Sequence, residues 1–178
     1  DINIDDTILS DMEFAFSTAL EIGKLDIGQT VLVKDKSVVA VEAAEGTDRA
    51  ILRTGRVAGC GAVMAKICKP GQDFRFDIPT VGLDTIEHLI EINAGGLVIE
   101  ADRTFVLNKE KFIKKLGTES VIAIGNGNND AKMLKTAELG IAIIGGEGAA
   151  INSLWNSEVA VNSIIDALDL IINKQGLV

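Results

Sequence analysis

Polar and charged side chains are crowded between two prolines in the stretch 69–80, whose sequence is Lys-Pro-Gly-Gln-Asp-Phe-Arg-Phe-Asp-Ile-Pro-Thr. Such groups are costly to bury unless they face solvent, a metal or a ligand. Asp73 and Asp77 are carboxylates of the kind that Mg²⁺ binds together with water and phosphate oxygens. Arg75 lies between them and can bind phosphate bidentately. The stretch therefore predicts a magnesium and phosphate site, and the alternative is a surface loop held by an Asp–Arg ion pair.

A second polar stretch, Glu45-Gly46-Thr47-Asp48, follows a run of β-branched residues. Acidic residues at the end of a strand can hold a metal, and a glycine lets the backbone approach a ligand closely. The alternative is the start of a helix that Thr47 or Asp48 caps. A third stretch, Leu-Asp-Ile-Gly-Gln at 25–29, has a simple turn into a strand as its alternative.

Hydrophobic periodicity indicates the elements that position these residues. In the first half it predicts helices over 11–22, from Asp48 onward and over 85–92, and strands over 30–33, 38–42, 62–67 and 97–100. A hairpin turn at 35–37 joins the first two strands. In the second half it predicts strands over 121–124, 141–144 and 159–161. It also predicts helices over 109–116 and 164–172, and a third helix that begins after Asp130 and ends at Ala137. The last helix places Ile164, Ile165, Leu168, Ile171 and Ile172 on one face.

This succession of strands and helices predicts an α/β fold. We expect a mixed-sheet N-terminal domain over 1–108. Over 109–178 we expect a small parallel strand–helix unit of Rossmann-like, dehalogenase-like type. The boundary is placed near Asn108, where a polar turn joins two different patterns.

Composition narrows the classes of protein. A chain of 178 residues holds one or two small domains. It has no apolar run of about 18 residues, so no transmembrane segment is expected, and its acidic start argues against a signal peptide. The net charge of −9 argues against a nucleic-acid partner. Two cysteines, Cys60 and Cys68, indicate a reduced, cytoplasmic protein, and the sole histidine, His88, is expected on the polar face of a helix.

Three stretches occur in a fixed order: Leu25 to Gln29, Val41 to Asp48 and Lys69 to Gly82. In that order they resemble the C-terminal domain of the UDP-2,3-diacylglucosamine pyrophosphatase family of lipid A synthesis, the LpxI type, over about residues 8–108. The resemblance implies a hydrolase, dependent on Mg²⁺ or Mn²⁺, that splits the UDP-sugar pyrophosphate. Its products would be UMP and a diacylated glucosamine 1-phosphate.

The same resemblance implies roles for particular residues. The catalytic residues would be Asp73, Asp77, Glu45 and Asp48, and Asp73 and Asp77 would also bind the metal. The substrate-binding residues would be Arg75, Lys69, Gln72 and Thr47. An apolar groove for the acyl chains would be lined by Phe74, Phe76, Ile78 or Met64, for which a place in the core is the alternative.

The family carries a nucleotide-binding-like domain before this region, whereas this sequence begins almost at the first helix of the C-terminal domain. If that domain helps to bind the substrate, we expect the chain to be weak or inactive by itself. A natural fusion, an engineered chimera and a truncation are equally compatible with the sequence.

The stretch 121–134, Val-Ile-Ala-Ile-Gly-Asn-Gly-Asn-Asn-Asp-Ala-Lys-Met-Leu, resembles the final acidic motif of haloacid dehalogenase-like phosphatases, close to the soluble relatives of P-type ATPases. With 137–143 and 147–150, the resemblance covers about residues 109–178. It implies that Asp130 binds Mg²⁺ and that Lys109 or Lys111 neutralises a phosphoaspartate, while Asn126 stands in place of the usual first acid. The stretch 1–7, with Asp5 and Asp6, is only faintly similar to the family's nucleophile motif, because it lacks the preceding strand and the usual glycine, and we interpret it as chance similarity. For 125–130 the alternative is a structural turn.

The leading interpretation is a metal-dependent hydrolase of a phosphate anhydride in the lipid A pathway. The alternatives are a dehalogenase-like phosphomonoesterase and a non-catalytic α/β domain or chimera. The expected partner is a phosphate-containing small molecule or a lipid-linked UDP-sugar. Peripheral contact with a membrane and a homodimer are further expectations.

Overall fold

In the computed structural model, residues 5–73, 75, 78–100, 103–146 and 148–172 are described, and the chain divides into two units after Leu107. The first unit holds α1 (Asp6–Lys24), β1 (Thr30–Lys34), β2 (Ser37–Val41), α2 (Thr47–Ala58), β3 (Val63–Lys66), β4 (Thr80–Val81), α3 (Leu83–Glu91), β5 (Gly96–Ile99) and β6 (Phe105–Val106). The second holds α4 (Lys109–Leu116), β7 (Ile122–Gly125), α5 (Ala131–Thr136), β8 (Leu139–Ile143), α6 (Ile151–Trp155), β9 (Val159–Val161) and α7 (Ile164–Ile172).

A mixed sheet of four strands, in the order β2-β1-β3-β5, forms the centre of the first unit. Strand β1 is antiparallel to both β2 and β3, and β3 is parallel to β5. Strands β2, β3 and β5 therefore end at one edge, where β1 begins. We call this the carboxyl edge; the opposite one, with the β1–β2 turn at Asp35 and Lys36, is the hairpin edge.

Alternation along the strands gives the sheet two apolar faces. One face, with Val31, Val33, Val63, Ala65 and Ile67, packs against the small residues Ala15 and Ala19 of α1. The side chains between them, Leu32 and Met64, are fully buried on the other face, which α2 covers with Ile51. Small residues in α1 let the helix lie close to the sheet, so both faces are closed.

The hairpin edge is held by a buried carboxylate. Asp35 and Lys36 both have positive φ, 50° and 55°, as a two-residue turn that follows the twist of its strands requires. Asp11 of α1 is 2% exposed. Its two carboxylate oxygens accept the backbone N–H groups of Asp35 at 2.8 Å and Lys36 at 2.7 Å. One side chain thereby fixes both the turn and the position of α1.

The second unit is a parallel sheet in the order β7-β8-β9. Its core includes Ile113 of α4, Ala123 of β7 and Leu134 of α5. Parallel neighbours require crossovers, which α5 and α6 supply.

The α/β fold with mixed and parallel sheets is confirmed. The hairpin turn and most predicted elements are present, but α1 begins five residues earlier than the periodicity indicated, and β4, β6 and α6 were not predicted. Strands β4 and β6 have two residues each and α6 has five, which is too few for a hydrophobic periodicity to be visible in the sequence. The predicted apolar face of α7 is wrong in part, because Ile164, Ile165 and Leu168 are about half exposed or more while Ala167 is fully buried.

Candidate functional site

Described residues of the three sequence stretches 25–29, 41–48 and 69–82 meet at the carboxyl edge. Lys69, just after β3, donates to the Asp26 carboxylate at 2.6 Å. The backbone N–H of Ile67 donates to the Gln29 carbonyl at 2.9 Å, and that of Glu42 donates to the Thr30 carbonyl at 2.9 Å. The sheet topology thus brings together residues that are more than 40 positions apart in sequence.

Gly28 allows the loop before β1 to lie close to the backbone at the end of β2. A Cβ atom added at Gly28 would lie 1.9 Å from the backbone carbonyl oxygen of Glu42. No side chain fits at that distance, so the loop before β1 can reach the end of β2 only with glycine at this position.

A row of polar side chains crosses the carboxyl edge. The register of β1 and β3 places Thr30 opposite Lys66. The backbone N–H of Glu42, the residue after β2, donates to the Thr30 carbonyl. The three residues therefore lie side by side across neighbouring strands. Lys66 Nζ donates to Thr47 Oγ1 at 2.8 Å, and Thr47 Oγ1 donates to Glu42 Oε1 at 2.8 Å. The Thr47 hydroxyl, in the first turn of α2, therefore links a buried lysine to a buried glutamate.

Two helices begin at this edge with glycine as their N-cap. Gly46 precedes α2 and Gly82 precedes α3, and no side chain among the described residues caps either helix. The first turns are joined by the Thr85 hydroxyl, which donates to Asp48 Oδ1 at 3.1 Å. Uncapped N–H groups and the helix dipole favour an anion at such positions.

Asp48 has a second neighbour that the sequence did not indicate. His88 Nδ1 lies 3.8 Å from Asp48 Oδ1. This nitrogen is buried and has no hydrogen-bond partner among the described residues. His88 is thus partly exposed and lies beside a predicted site residue.

The loop after β3 carries an ion pair of its own. Arg75 Nη2 donates to Asp73 Oδ2 at 2.6 Å, and Arg75 Nε donates to Asp73 Oδ1 at 3.0 Å. The hydrogen bonds from the Arg75 guanidinium, and then from its backbone N–H, hold the pKa of Asp73 below its ordinary value. Gln72 Oε1 accepts the Lys69 N–H at 3.0 Å. Asp77 lies outside the described residues.

The remaining predicted residues are placed as follows. Glu45 accepts a hydrogen bond from Arg53 of α2, which also donates to the Val41 carbonyl at 3.1 Å. Met64 is fully buried in the core, so its proposed place in an acyl groove is wrong. Ile78 is 38% exposed, and Phe74 and Phe76 lie outside the described residues.

The acidic side chains that the structure describes at the edge do not form a group that could hold a metal ion. Among the described residues, no three His, Cys, Asp or Glu side chains are grouped so that they could hold a metal ion. Asp26, Glu45 and Asp73 each have a cationic partner instead. The described residues therefore do not fit a metal centre built by the protein alone.

In the second unit, Asp130 lies after β7 and accepts three hydrogen bonds. They come from Lys109 Nζ at 2.6 Å and from the backbone N–H groups of Gly127 at 3.0 Å and Asn126 at 3.2 Å. Burial raises the pKa of the Asp130 carboxyl, but the Lys109 ammonium and the two N–H groups outweigh it, so the pKa lies below its ordinary value of 3.8. Lys109, rather than Lys111, is the lysine that contacts Asp130.

Sequence reasoning missed Glu42, Thr30, Lys66 and His88. A usable signal was present for two of them. Lys66 ends an otherwise apolar strand, and Glu42 follows one directly, so both charges stand where strands leave the core. Thr30 and His88 gave no such signal, since their neighbourhood depends on partners distant in the sequence.

The fold and the site define an α/β domain whose mixed sheet gathers helix N-termini and cationic side chains at one edge. The family model described as the LpxI C-terminal domain matches residues 2–124, more than half of the chain. The chain therefore belongs to this family. The match begins before α1 and runs beyond the first unit into β7.

Two curated proteins are similar to the chain. The UDP-2,3-diacylglucosamine pyrophosphatase LpxI of Caulobacter vibrioides is 37% identical over 125 residues, which cover 66% of this chain and 45% of that protein. An uncharacterized protein of Methanocaldococcus jannaschii is 47% identical over 68 residues, which cover 38% of this chain and 73% of that protein. The chain thus spans less than half the length of the pyrophosphatase. In the part of the chain that the structure describes, no helix has both the length and the apolar character to cross a bilayer.

Proposed function

We propose that this chain hydrolyses the pyrophosphate bond of a UDP-2,3-diacylglucosamine-type substrate at the carboxyl edge. UMP and a diacylated glucosamine 1-phosphate would be the products. The observation that carries the proposal is the convergence of the three sequence stretches at the edge where α2 and α3 begin. Membership of the LpxI C-terminal domain family supports the substrate class.

The phosphates are proposed to lie against the two helix N-termini. Two glycine N-caps let a ligand approach the backbone closely, and the N–H groups of the first turns can donate to phosphate oxygens. Thr47, the first residue of α2, stands within this region. Lys69 and Arg75 of the loop after β3, now paired with Asp26 and Asp73, would donate to phosphate oxygens in a chain whose net charge is −9. Local cations of this kind lower the cost of bringing a pyrophosphate to an acidic protein.

The predicted carboxylates keep different roles in this proposal. Asp48 is held between Thr85 and His88 and is the best placed to contact the substrate at the helix N-termini. Asp73 and Asp77 remain the ligands for Mg²⁺ or Mn²⁺ that the resemblance implies. A divalent ion would neutralise charge on the phosphoryl oxygens. Since Mg²⁺ takes only one or two carboxylates and completes its shell with water and phosphate, such an ion would enter with the substrate.

Two exposed apolar residues lie on either side of Asp26, the residue whose carboxylate binds Lys69. Leu25 and Ile27 are 68% and 50% exposed, and Asp26 between them bonds to Lys69. We propose that these side chains, with Ile78, contact the acyl chains or the membrane surface that presents them. Apolar groups beside a phosphate site match a substrate with one charged and one apolar end.

The test is release of UMP from UDP-2,3-diacylglucosamine by the purified chain with Mg²⁺ or Mn²⁺. We expect release of UMP, a large loss of activity on chelation by EDTA, and loss in Asp77→Ala and Asp73→Ala. UDP-N-acetylglucosamine, which lacks the acyl chains, is the control substrate and should be cleaved poorly. No UMP under either metal would overturn the proposal.

A second candidate function is phosphomonoester hydrolysis in the second unit, favoured by the Lys109–Asp130 ion pair after β7. Its candidate nucleophiles have structural positions in the first unit: the Asp5 carboxylate caps α1 by accepting the Thr7 N–H at 2.9 Å, and Asp6 is in its first turn. Release of phosphate from p-nitrophenyl phosphate, lost in Asp5→Asn or Asp6→Asn, would support this function. Turnover unaffected by both changes would place the nucleophile elsewhere.

A further inference from the structure

Three buried oxygens at the carboxyl edge have no hydrogen-bond partner among the described residues: Gln29 Oε1, Thr30 Oγ1 and Glu42 Oε2. Thr30 is fully buried, and Glu42 is 9% exposed. A buried polar atom without a partner is unfavourable, because the hydrogen bonds that it loses to water are not replaced. Two of them on adjacent strands mark a place where a further hydrogen-bonding group is required.

Glu42 and Thr30 are neighbours by register. Glu42 and Thr30 follow the pair Val41–Val31 in the β1–β2 ladder, so their side chains leave the sheet on the same face. Directly opposite residues have Cβ atoms about 4.5–5.5 Å apart. A water molecule held by both a carboxylate and a hydroxyl has the number of polar partners that buried water needs.

The other Glu42 oxygen is already fixed. Glu42 Oε1 accepts from Thr47, which in turn accepts from Lys66. One oxygen is therefore oriented by the chain, while the other is buried and lacks a hydrogen-bond partner among the described residues. Asp11 in the same unit is the contrast, since both of its oxygens accept backbone N–H groups.

We propose that Glu42 Oε2 and Thr30 Oγ1 hold the water that attacks the substrate, and that Glu42 is its general base; this rests on the proposed pyrophosphate hydrolysis. The water oxygen forms a bond to one phosphorus while the bond from that phosphorus to the bridging oxygen breaks. The bridging oxygen leaves with the electron pair as part of the second phosphate. Glu42 accepts a proton from the water and releases it to solvent, so the step needs no further reactant.

The experiment is steady-state hydrolysis of UDP-2,3-diacylglucosamine by substituted chains. Glu42→Gln keeps the shape and an acceptor for Thr47 but cannot take a proton, so kcat should fall about 10²-fold or more. KM should change by less than about threefold, since the base acts in the transition state. Thr30→Val, which removes only the hydroxyl, should lower kcat by about tenfold.

Two controls separate catalysis from folding. Asp11→Asn removes a buried charge far from the edge and should lower the urea midpoint without lowering kcat. Formate should restore part of the activity of Glu42→Ala, because a small carboxylate can replace the missing group, and a purely structural role would not respond. An unchanged kcat in Glu42→Gln, or a folded Glu42→Ala that formate does not reactivate, would overturn the role of Glu42. Absence of UMP from the unsubstituted chain would instead overturn the proposed function itself.

Discussion

At the scale of single residues, Gly28 sets how closely the loop before β1 can approach the end of β2. Gly28→Ala would place a methyl group 1.9 Å from the Glu42 carbonyl oxygen, so the backbone must shift. We expect a loss of about 1–3 kcal/mol in the free energy of unfolding, as for overpacking elsewhere. Denaturation in urea measures it. Gly146→Ala, where a Cβ meets nothing within 4 Å, is the matched control and should leave the midpoint unchanged.

Asp130 provides a prediction with a pH dependence. Because its pKa is lowered in the folded chain, its contribution is fully present above the ordinary Asp pKa and is lost as the pH falls through the lowered value. Asp130→Asn should cost on the order of 1 kcal/mol at pH 7, given partial exposure of the pair with Lys109. The difference from the unsubstituted chain should shrink below about pH 4.

Urea denaturation at pH 7 and at pH 3.5 measures this difference. The exposed Glu110–Lys114 pair of α4 supplies the control, and Lys114→Gln should have no measurable effect at either pH. A difference between Asp130→Asn and the unsubstituted chain that grows on acidification would contradict the assigned sign.

At the scale of elements, the contact between α1 and the β1–β2 hairpin depends on Asp11. Asp11→Asn replaces one acceptor oxygen by a donor that faces a backbone N–H. We expect a loss of about 1–3 kcal/mol in the free energy of unfolding, measured by urea denaturation. Glu13→Gln, an exposed residue on the same helix, should have no measurable effect.

The elements were largely predictable because their signals are local. The β-branched runs of β1 and β2 and the turn residues between them specify the hairpin over a few positions, and Ala15 and Ala19 fall on a helical period. The row of Glu42, Thr30 and Lys66 was not predictable, since it exists only once three strands have taken their order and register. The roles of Asp73 and Asp77 stay predictions: the first is paired with Arg75 and the second lies outside the described residues.

At the scale of the whole molecule, the two units have separate apolar cores, and we expect each to unfold as a unit of its own. The cysteines allow a test, because Cys60 is exposed and Cys68 is buried in the first unit. In a Cys60→Ser background, thiol labelling of Cys68 reports the opening of the first unit. Asp11→Asn should speed labelling about tenfold or more, while Asp130→Asn in the second unit should change it less than about twofold. Equal acceleration by both changes would show a single cooperative unit.

The direction of β1 has a consequence for engineering. Strand β1 is antiparallel to β2 and β3. The proposed water-binding groups of Thr30 and Glu42 therefore lie at one end of β1, and the hairpin that Asp11 stabilises lies at the other end. Lys34, whose ammonium bonds to the Ala58 carbonyl at 2.8 Å, also belongs to the hairpin end. The usual conflict between stability and activity arises when both depend on the same residues. Here a library of substitutions around Asp35 and Lys36 can be selected for heat resistance while the carboxyl edge of the sheet keeps its sequence.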